Sequence, residues 1–339
     1  MATAAYLTLS GWQVTLCDTS EQSGDFAVIA ANNGILLRGK SKCGCAMPVR
    51  LTVNFSEALA NDLVVVCTST GRHKEVIASC LPHVRPGHRF LFSPGNLGSY
   101  WMRKALQKTG QEKDVVTADL CGNLWACRRT APAEVLIASP GGEKRAAAFP
   151  AADTPEAVKA FSVMFPMAPC ANIFEAALNS PNVISHVIGA ILNAVQIEQM
   201  KEAFAFFRHG LGEVCVHCMG ILEKERNAVM EALNLAVYNP DSSAFMHMLM
   251  DTSNHPQLDM FRSLDGPSSF SHRYVSEDAS CGVSLLVSLG TAYNVPTPVN
   301  SAILTLAGAI NETDYLSYGY TLQNLSLDGI SVSELIGRL

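Results

Sequence analysis

Charge is scarce in this chain. Asp, Glu, Lys and Arg make up 16% of 339 residues and hydrophobic residues 48%, against a usual charged share of about 25%. A charge-solvated disordered tail is excluded, and much of the chain must be core. With 24 basic against 30 acidic residues the net charge is -6, which leaves no basic stripe to neutralise phosphate backbones, so no nucleic-acid partner is expected. No stretch approaches the roughly 18 uninterrupted apolar residues of a membrane span, and the N-terminus lacks the basic start and small-residue cleavage site of an export signal. A cytoplasmic protein with no membrane partner is expected. Internal repeats, low-complexity tracts and long linkers are missing too.

Cysteine is plentiful, but a disulfide framework is not indicated. Eleven cysteines, an odd number spread through a large chain, fit reduced thiols. Cys43 and Cys45 flank a glycine in an expected loop, and Cys215 and Cys218 lie one helical turn apart around His217. Neither cluster supplies the doubled C-x-x-C pattern of a zinc ribbon, so no metal is expected. The length exceeds the size at which one core stops growing, about 250 to 300 residues, and two domains follow.

The first half reads as an α/β unit. Short β-rich runs at 13–17, 49–54, 63–67, 89–92, 114–118, 124–128 and 134–138 alternate with helical stretches such as 72–81 and 99–107, which predicts a mostly parallel, doubly wound (Rossmann-like) sheet with covering helices. One more strand follows Pro140 to Gly142, and a helix from Thr154 to Phe165 closes the domain, with Pro155 in its first turn. From about Ala171 apolar residues recur at three and four spacings, so the second domain is all-α. The expected division is 1–168 and 169–339, with a cleft between.

The run at 13–17 ends on Asp18. In a doubly wound fold an acid at the tip of the second strand accepts hydrogen bonds from the adenosine ribose of a dinucleotide. A glycine-rich pyrophosphate turn belongs roughly 20 residues before that acid, upstream of Met1. The expectation is therefore a nucleotide-binding domain truncated at its first strand and glycine-rich turn, through a misassigned start or a real loss. Small hydroxyl residues from Thr68 to Thr70 end the apolar run Asp62 to Cys67 and would line the crevice at the carboxyl ends of the strands.

Two segments of the helical half carry candidate chemistry. Asn179 to Glu198 contains one ionisable group before Glu198, His186, set among apolar neighbours near a helix start; taken alone it reads sooner as a core histidine than as a catalyst. His272-Arg273-Tyr274-Val275-Ser276-Glu277-Asp278 opens a further helix with two acids, either as a capping box around Ser276 or with Arg273, on the incoming loop, turned toward an anionic ligand.

Together the segments match N-x-x-x-H-x-x-G-x-x-x-N and H-R-Y-x-S/T-E-D, joined by Pro94-Gly95-Asn96, Trp125-Ala126-Cys127-Arg128, Phe207-Arg208 and Val295-Pro296-Thr297-Pro298. The chain resembles the opine dehydrogenase family (octopine and nopaline dehydrogenases) over nearly its whole length. Val187 and Ile188 stand where that family usually has a proline just after the histidine, and Ser180 replaces a common asparagine.

The resemblance implies an oxidoreductase that joins an amino acid to a 2-oxo acid such as pyruvate and reduces the imine with NADH or NADPH. It implies His186 as acid/base, Asp278 as its partner, Arg273, Asn96 and Asn193 at substrate, and Asp18, Thr68, Pro94 and Gly95 at the cofactor. Because no Arg or Lys follows Asp18 in Thr19-Ser20-Glu21, NAD is favoured over NADP. Two readings compete: a ketopantoate-reductase-like or 2-hydroxyacid dehydrogenase, and a truncated non-catalytic homologue that binds a ligand. A homodimer is left open. Phe245 to Met250 reads as a helical wall with no role for His247, and His73 as a surface histidine opening a helix.

Overall fold

In the computed structural model of the protein, residues 1–19, 23–139, 142–238 and 241–339 are described. The first domain holds strands β1 (Thr15–Cys17), β2 (Ile35–Gly39), β3 (Gly44–Ala46), β4 (Arg50–Thr52), β5 (Leu63–Val66), β6 (Arg89–Phe92), β7 (Val116–Leu120), β8 (Cys127–Ala131), β9 (Glu134–Ile137), β10 (Lys144–Ala148) and β11 (Met167–Pro169). Its helices are α1 (Ala2–Leu9), α2 (Asp25–Ala31), α3 (Phe55–Ala58), α4 (His73–Cys80), α5 (Gly98–Thr109) and α6 (Thr154–Phe161).

A five-stranded sheet runs β11-β10-β7-β6-β5, with β5, β6 and β7 parallel and β10 antiparallel to β7. β1 pairs only with β4, in parallel, as a separate two-stranded sheet. β1 is not hydrogen-bonded to β5; in the doubly wound order the strand feeding the first helix joins two such strands. The expected single sheet is also corrected by a third sheet, β3-β2-β9-β8, which puts Cys45 in a strand rather than a loop. Its β2 and β3 are short and bounded by Gly34, Gly39 and Gly44, with the polar stretch Lys40-Ser41-Lys42-Cys43 between them, so turn signals dominate the segment.

Aromatic and branched side chains drive the layering. Leu91, Val116, Ala118, Ala146, Ala148 and Phe161 are buried together under α6 on one face of the main sheet, while Phe90, Phe92, Val76, Ile77 and Leu106 pack the opposite face under α4 and α5. This is the alternation of a sheet covered on both faces.

The second domain is helical: α7 (Ile173–Leu178), α8 (Asn182–Leu192), α9 (Ala194–Met200), α10 (Phe206–His209), α11 (Glu213–Ala232), α12 (Ser242–Met250), α13 (Asp259–Arg262), α14 (Arg273–Asp278), α15 (Ser284–Ala292), α16 (Pro298–Ile310), α17 (Tyr315–Tyr318) and α18 (Val332–Arg338). Its tail returns to the first domain. Leu339 accepts a backbone hydrogen bond from Ala151, and Tyr100 and Phe149 share one core with Leu325, Leu335 and Leu339. No helix among the described residues is long and apolar enough to cross a membrane.

Candidate active site

Helix α8 begins after Pro181, whose ring suits a helix start. Its run Val183 to Ala190 is wholly buried, and His186 sits in the second turn with 5% of its surface exposed. Opposite lies α14, capped by the His272 side chain, which accepts from the Tyr274 N–H at 3.3 Å. The cap corrects the expected box around Ser276: that hydroxyl donates back to the Ser271 and His272 carbonyls instead. Arg273 is the first helical residue rather than part of the loop. Directly after Asp278 the backbone widens into a π-turn, Ala279–Val283, before α15 resumes. Such bulges re-aim side chains and recur at functional sites.

The outcome is a closed pair. Asp278 Oδ2 lies 2.8 Å from His186 Nδ1, and both residues are buried. The His186 ring stacks on Tyr274 at 3.5 Å between centroids and meets Phe206 edge-on at 6.0 Å. Burial, aided by the Arg273 and Arg128 guanidiniums, holds His186 well below its ordinary range, so the imidazole is neutral. The same burial pushes the Asp278 carboxyl up to about 7, with Arg273 pulling against it. Because Nδ1 faces the acid, Nε2 is the nitrogen left for a reactant.

His186 and Arg273 line a cavity of about 760 Å³ together with Arg128, Lys144, Tyr238 and Phe245. Arg128 is occupied: it donates to the Asp265 carbonyl and to the Tyr274 hydroxyl. Arg273 lies over the Tyr274 ring at 5.3 Å. Phe245 and Met246 of α12 form wall, as their sequence suggests. The site thus draws a neutral imidazole, its carboxyl partner and a cation together in a volume suited to a small anionic substrate.

The other expected site residues fall into distinct places. Asn96 does not line the cavity. Its amide donates to Thr70 Oγ1 at 2.8 Å, and Thr70 in turn donates to Glu277 Oε1 at 2.8 Å, which ties the crevice of the sheet domain to α14. Glu277 is the residue that sequence reasoning passed over; its adjacency to Asp278 was the available signal. Asn193 is apart from the cavity as well: its amide is spent on the carbonyls of Gly189 and Gly210, at 2.8 and 2.9 Å, stitching the end of α8 to the loop after α10. A Cβ on Gly95 would lie 2.4 Å from the Leu120 carbonyl oxygen, so that glycine, with Pro94 before it, serves the packing of the turn on β7. His73 opens α4 but is fully buried, a correction to its surface placement; it packs edge-on against Phe92 at 5.1 Å.

For a dinucleotide the residues fit at two points. Asp18 stands at the end of β1, partly exposed, with its Oδ1 accepting from the Thr19 N–H. Past the end of β5 the Thr68 hydroxyl is buried with no hydrogen-bond partner, an orphaned donor. Asp18 would hold the adenosine ribose and Thr68 would contact the cofactor within the crevice. The glycine-rich pyrophosphate turn is not among the described residues, since α1 opens at Ala2.

Comparison with known proteins agrees with this two-domain fold. Residues 169–311 match the NAD/NADP octopine/nopaline dehydrogenase alpha-helical domain. An opine dehydrogenase of Arthrobacter sp. (strain 1C) is 26% identical over 345 residues, 98% of this chain and 93% of that protein. By these matches the chain resembles opine dehydrogenases over nearly its whole length and carries that family's helical domain at 169–311. Octopine dehydrogenase solved with NADH and pyruvate superposes with a TM-score of 0.72 at 14% identity, covering 100% of this chain and 95% of that one. A PanE/ApbA family ketopantoate reductase from Ralstonia eutropha shares the fold more loosely, with a TM-score of 0.58 at 16% identity over 91% of this chain and 94% of that one. This opine dehydrogenase-like chain is an oxidoreductase of a family that works with a nicotinamide cofactor.

Proposed function

We propose that this opine dehydrogenase-like protein condenses an amino acid with a 2-oxo acid such as pyruvate and reduces the resulting imine, acting on a CH–NH bond. The observation that carries the reading is the buried His186–Asp278 pair set beside Arg273 in one cavity. Reduced nicotinamide, when bound, supplies the hydride for the imine carbon. His186 Nε2, neutral at rest, takes a proton from the amino acid's ammonium, so the freed amine attacks the oxo-acid carbonyl. The same proton then goes to the hydroxyl that leaves as water. Asp278 fixes the tautomer and stabilises the imidazolium between those two transfers. Arg273 clamps the oxo-acid carboxylate with its planar fork.

The carboxylate of Asp18 favours a free ribose hydroxyl, so NAD is the preferred cofactor. Arg72, whose Nη1 is 4.0 Å from Asp18 Oδ1, is a nearby cation that works toward NADP. Competing titrations with NADH and NADPH decide the point; tighter NADPH binding overturns the preference. The looser likeness to ketopantoate reductase favours one rival reading, ketone reduction. Oxidation of NADH with pyruvate alone and with added amino acids separates them: the imine reading requires amino-acid dependence, and equal rates without any amine sink it.

A further inference from the structure

Four cations and two carboxylates line the cavity: Arg128, Lys144, Arg145 and Arg273 against Glu143 and Asp241. Most are already engaged within the protein. Arg128 is held by the Asp265 carbonyl and the Tyr274 hydroxyl. Arg145 lies over the Tyr238 ring at 3.9 Å and reaches Glu143 at 3.6 Å. Asp241 caps α12, accepting from the Ala244 N–H and the Ser243 hydroxyl. Two cations remain with no hydrogen bond or ion pair to a protein group among the described residues: Arg273, beside the His186–Asp278 pair, and Lys144, at the start of β10 on the sheet-domain wall.

Lys144 stands out because its position is costly. It is half-buried, burial pulls its ammonium below the ordinary lysine range, and the one neighbouring group that opposes this is the Cys121 thiol. A partly desolvated ammonium without a counter-charge is unfavourable on its own. A ligand carboxylate would relieve it.

We infer that Lys144 is the anchor for the amino acid's own carboxylate, so that the site takes α-amino acids rather than simple amines. The inference rests on the imine-reducing reading above and deepens it. The condensation product carries a secondary amine between two carboxylates, and the cavity offers two unengaged cations on opposite domains with the imidazole on the helical side. Arg273 takes the oxo-acid end next to the proton-transferring pair; Lys144 takes the other end. The amine is thereby held between them, toward His186.

The test is binding of 2,2'-iminodipropionate and of its monoamide to the full chain, measured by calorimetry on wild type, Lys144→Met and Lys144→Arg. Loss of one charge-assisted contact corresponds to about tenfold or more in affinity. Wild type should therefore prefer the diacid by about that factor, Lys144→Met should bind both compounds equally, and Lys144→Arg should keep the preference. In turnover, Lys144→Met should raise the KM for alanine about tenfold and leave that for pyruvate within about twofold. Diacid binding to wild type with no preference over the monoamide, an equal loss of both compounds in Lys144→Met, or a rise in the pyruvate KM instead would overturn the role of Lys144 and leave the imine reading standing. Binding of neither compound to wild type, with no amine-dependent NADH oxidation, would overturn both.

Discussion

At the residue scale, the proposed reaction places its chemistry on two side chains, and a third reports on the fold. A positioned general acid/base contributes roughly 10²- to 10⁴-fold, so His186→Ala should lower kcat by about that much while far-ultraviolet dichroism stays unchanged; retained turnover in a protein shown to reduce imines removes His186 from the mechanism. Arg273→Lys replaces a two-pronged donor with a point charge and should raise the KM for the oxo acid by about tenfold; movement of the amino-acid KM alone would mean the carboxylates are assigned the wrong way round. His73 sits outside the chemistry. Burial takes its imidazole down to about 4 from 6.5, so the unfolded chain binds the extra proton between those values and the native state loses stability as pH falls through that window. His73→Leu removes that liability. The stability difference between wild type and His73→Leu, followed by urea unfolding, should shift against wild type by on the order of 3 kcal/mol from pH 7 to pH 4, and a difference that is flat with pH refutes the buried neutral state.

At the element scale, the site depends on how closely α8 meets the π-turn after α14. Gly282 lies in that turn, and a Cβ there would approach the Val183 Cγ2 of α8 to 2.6 Å. Val183 is β-branched and has little freedom to yield, so Gly282→Ala should press the two segments apart. Overpacking of this kind costs about 1 to 3 kcal/mol, and a displacement of the His186–Asp278 pair should lower kcat at least about tenfold with KM nearly unchanged; an unaltered kcat would show that the contact relaxes elsewhere. The helices themselves were plain in the sequence, because their three-and-four spacing is a local property. So were β5, β6 and β9, as short apolar runs. The π-turn was not, since nothing in Ala279-Ser-Cys-Gly-Val283 distinguishes a widened turn from an ordinary one; tertiary contact with α8 selects it. β2 and β3 were hidden for a related reason: glycines and polar residues bound them, and the pairing of β2 with β9 and of β3 with β2 supplies what local propensity does not. The His186–Asp278 contact, spanning 92 residues of chain, was legible through the family resemblance alone, whereas composition and periodicity left His186 as a core histidine. Asn193 shows the converse, a motif residue whose amide the structure spends on backbone.

At the scale of the whole molecule, the two domains are tied by a shared core at the C-terminal tail, by Arg128 on the Asp265 carbonyl and Tyr274 hydroxyl, and by a polar bridge at the crevice, Asn96 to Thr70 to Glu277. The bridge lies one residue from Asp278, so it bears on how the sheet domain faces the His186–Asp278 pair. Glu277 is buried, and burial together with Asp278 raises its carboxyl above the ordinary 4.5. A raised carboxyl binds more protons folded than unfolded, so its contribution to stability is fully present below 4.5 and is lost as pH rises through the folded value. The Thr70 hydroxyl offsets that loss by donating to the ionised form. Thr70→Val keeps the shape and removes the hydroxyl donor, which leaves the charged Glu277 with the Thr70 backbone and the long 3.4 Å contact from Asn96. The variant should therefore lose little at pH 4.5 and about 1.5 to 3 kcal/mol near pH 8, the range for a hydrogen bond to a charged group, as measured by urea unfolding at both values. The KM for both substrates should rise together near pH 8, because a loosened domain pairing affects both halves of the cleft. An equal loss of stability at the two pH values would mean that Thr70 acts through packing, and that the orientation of the domains is set by the apolar core around Tyr100, Phe149 and Leu339 and by Arg128 on Asp265 and Tyr274.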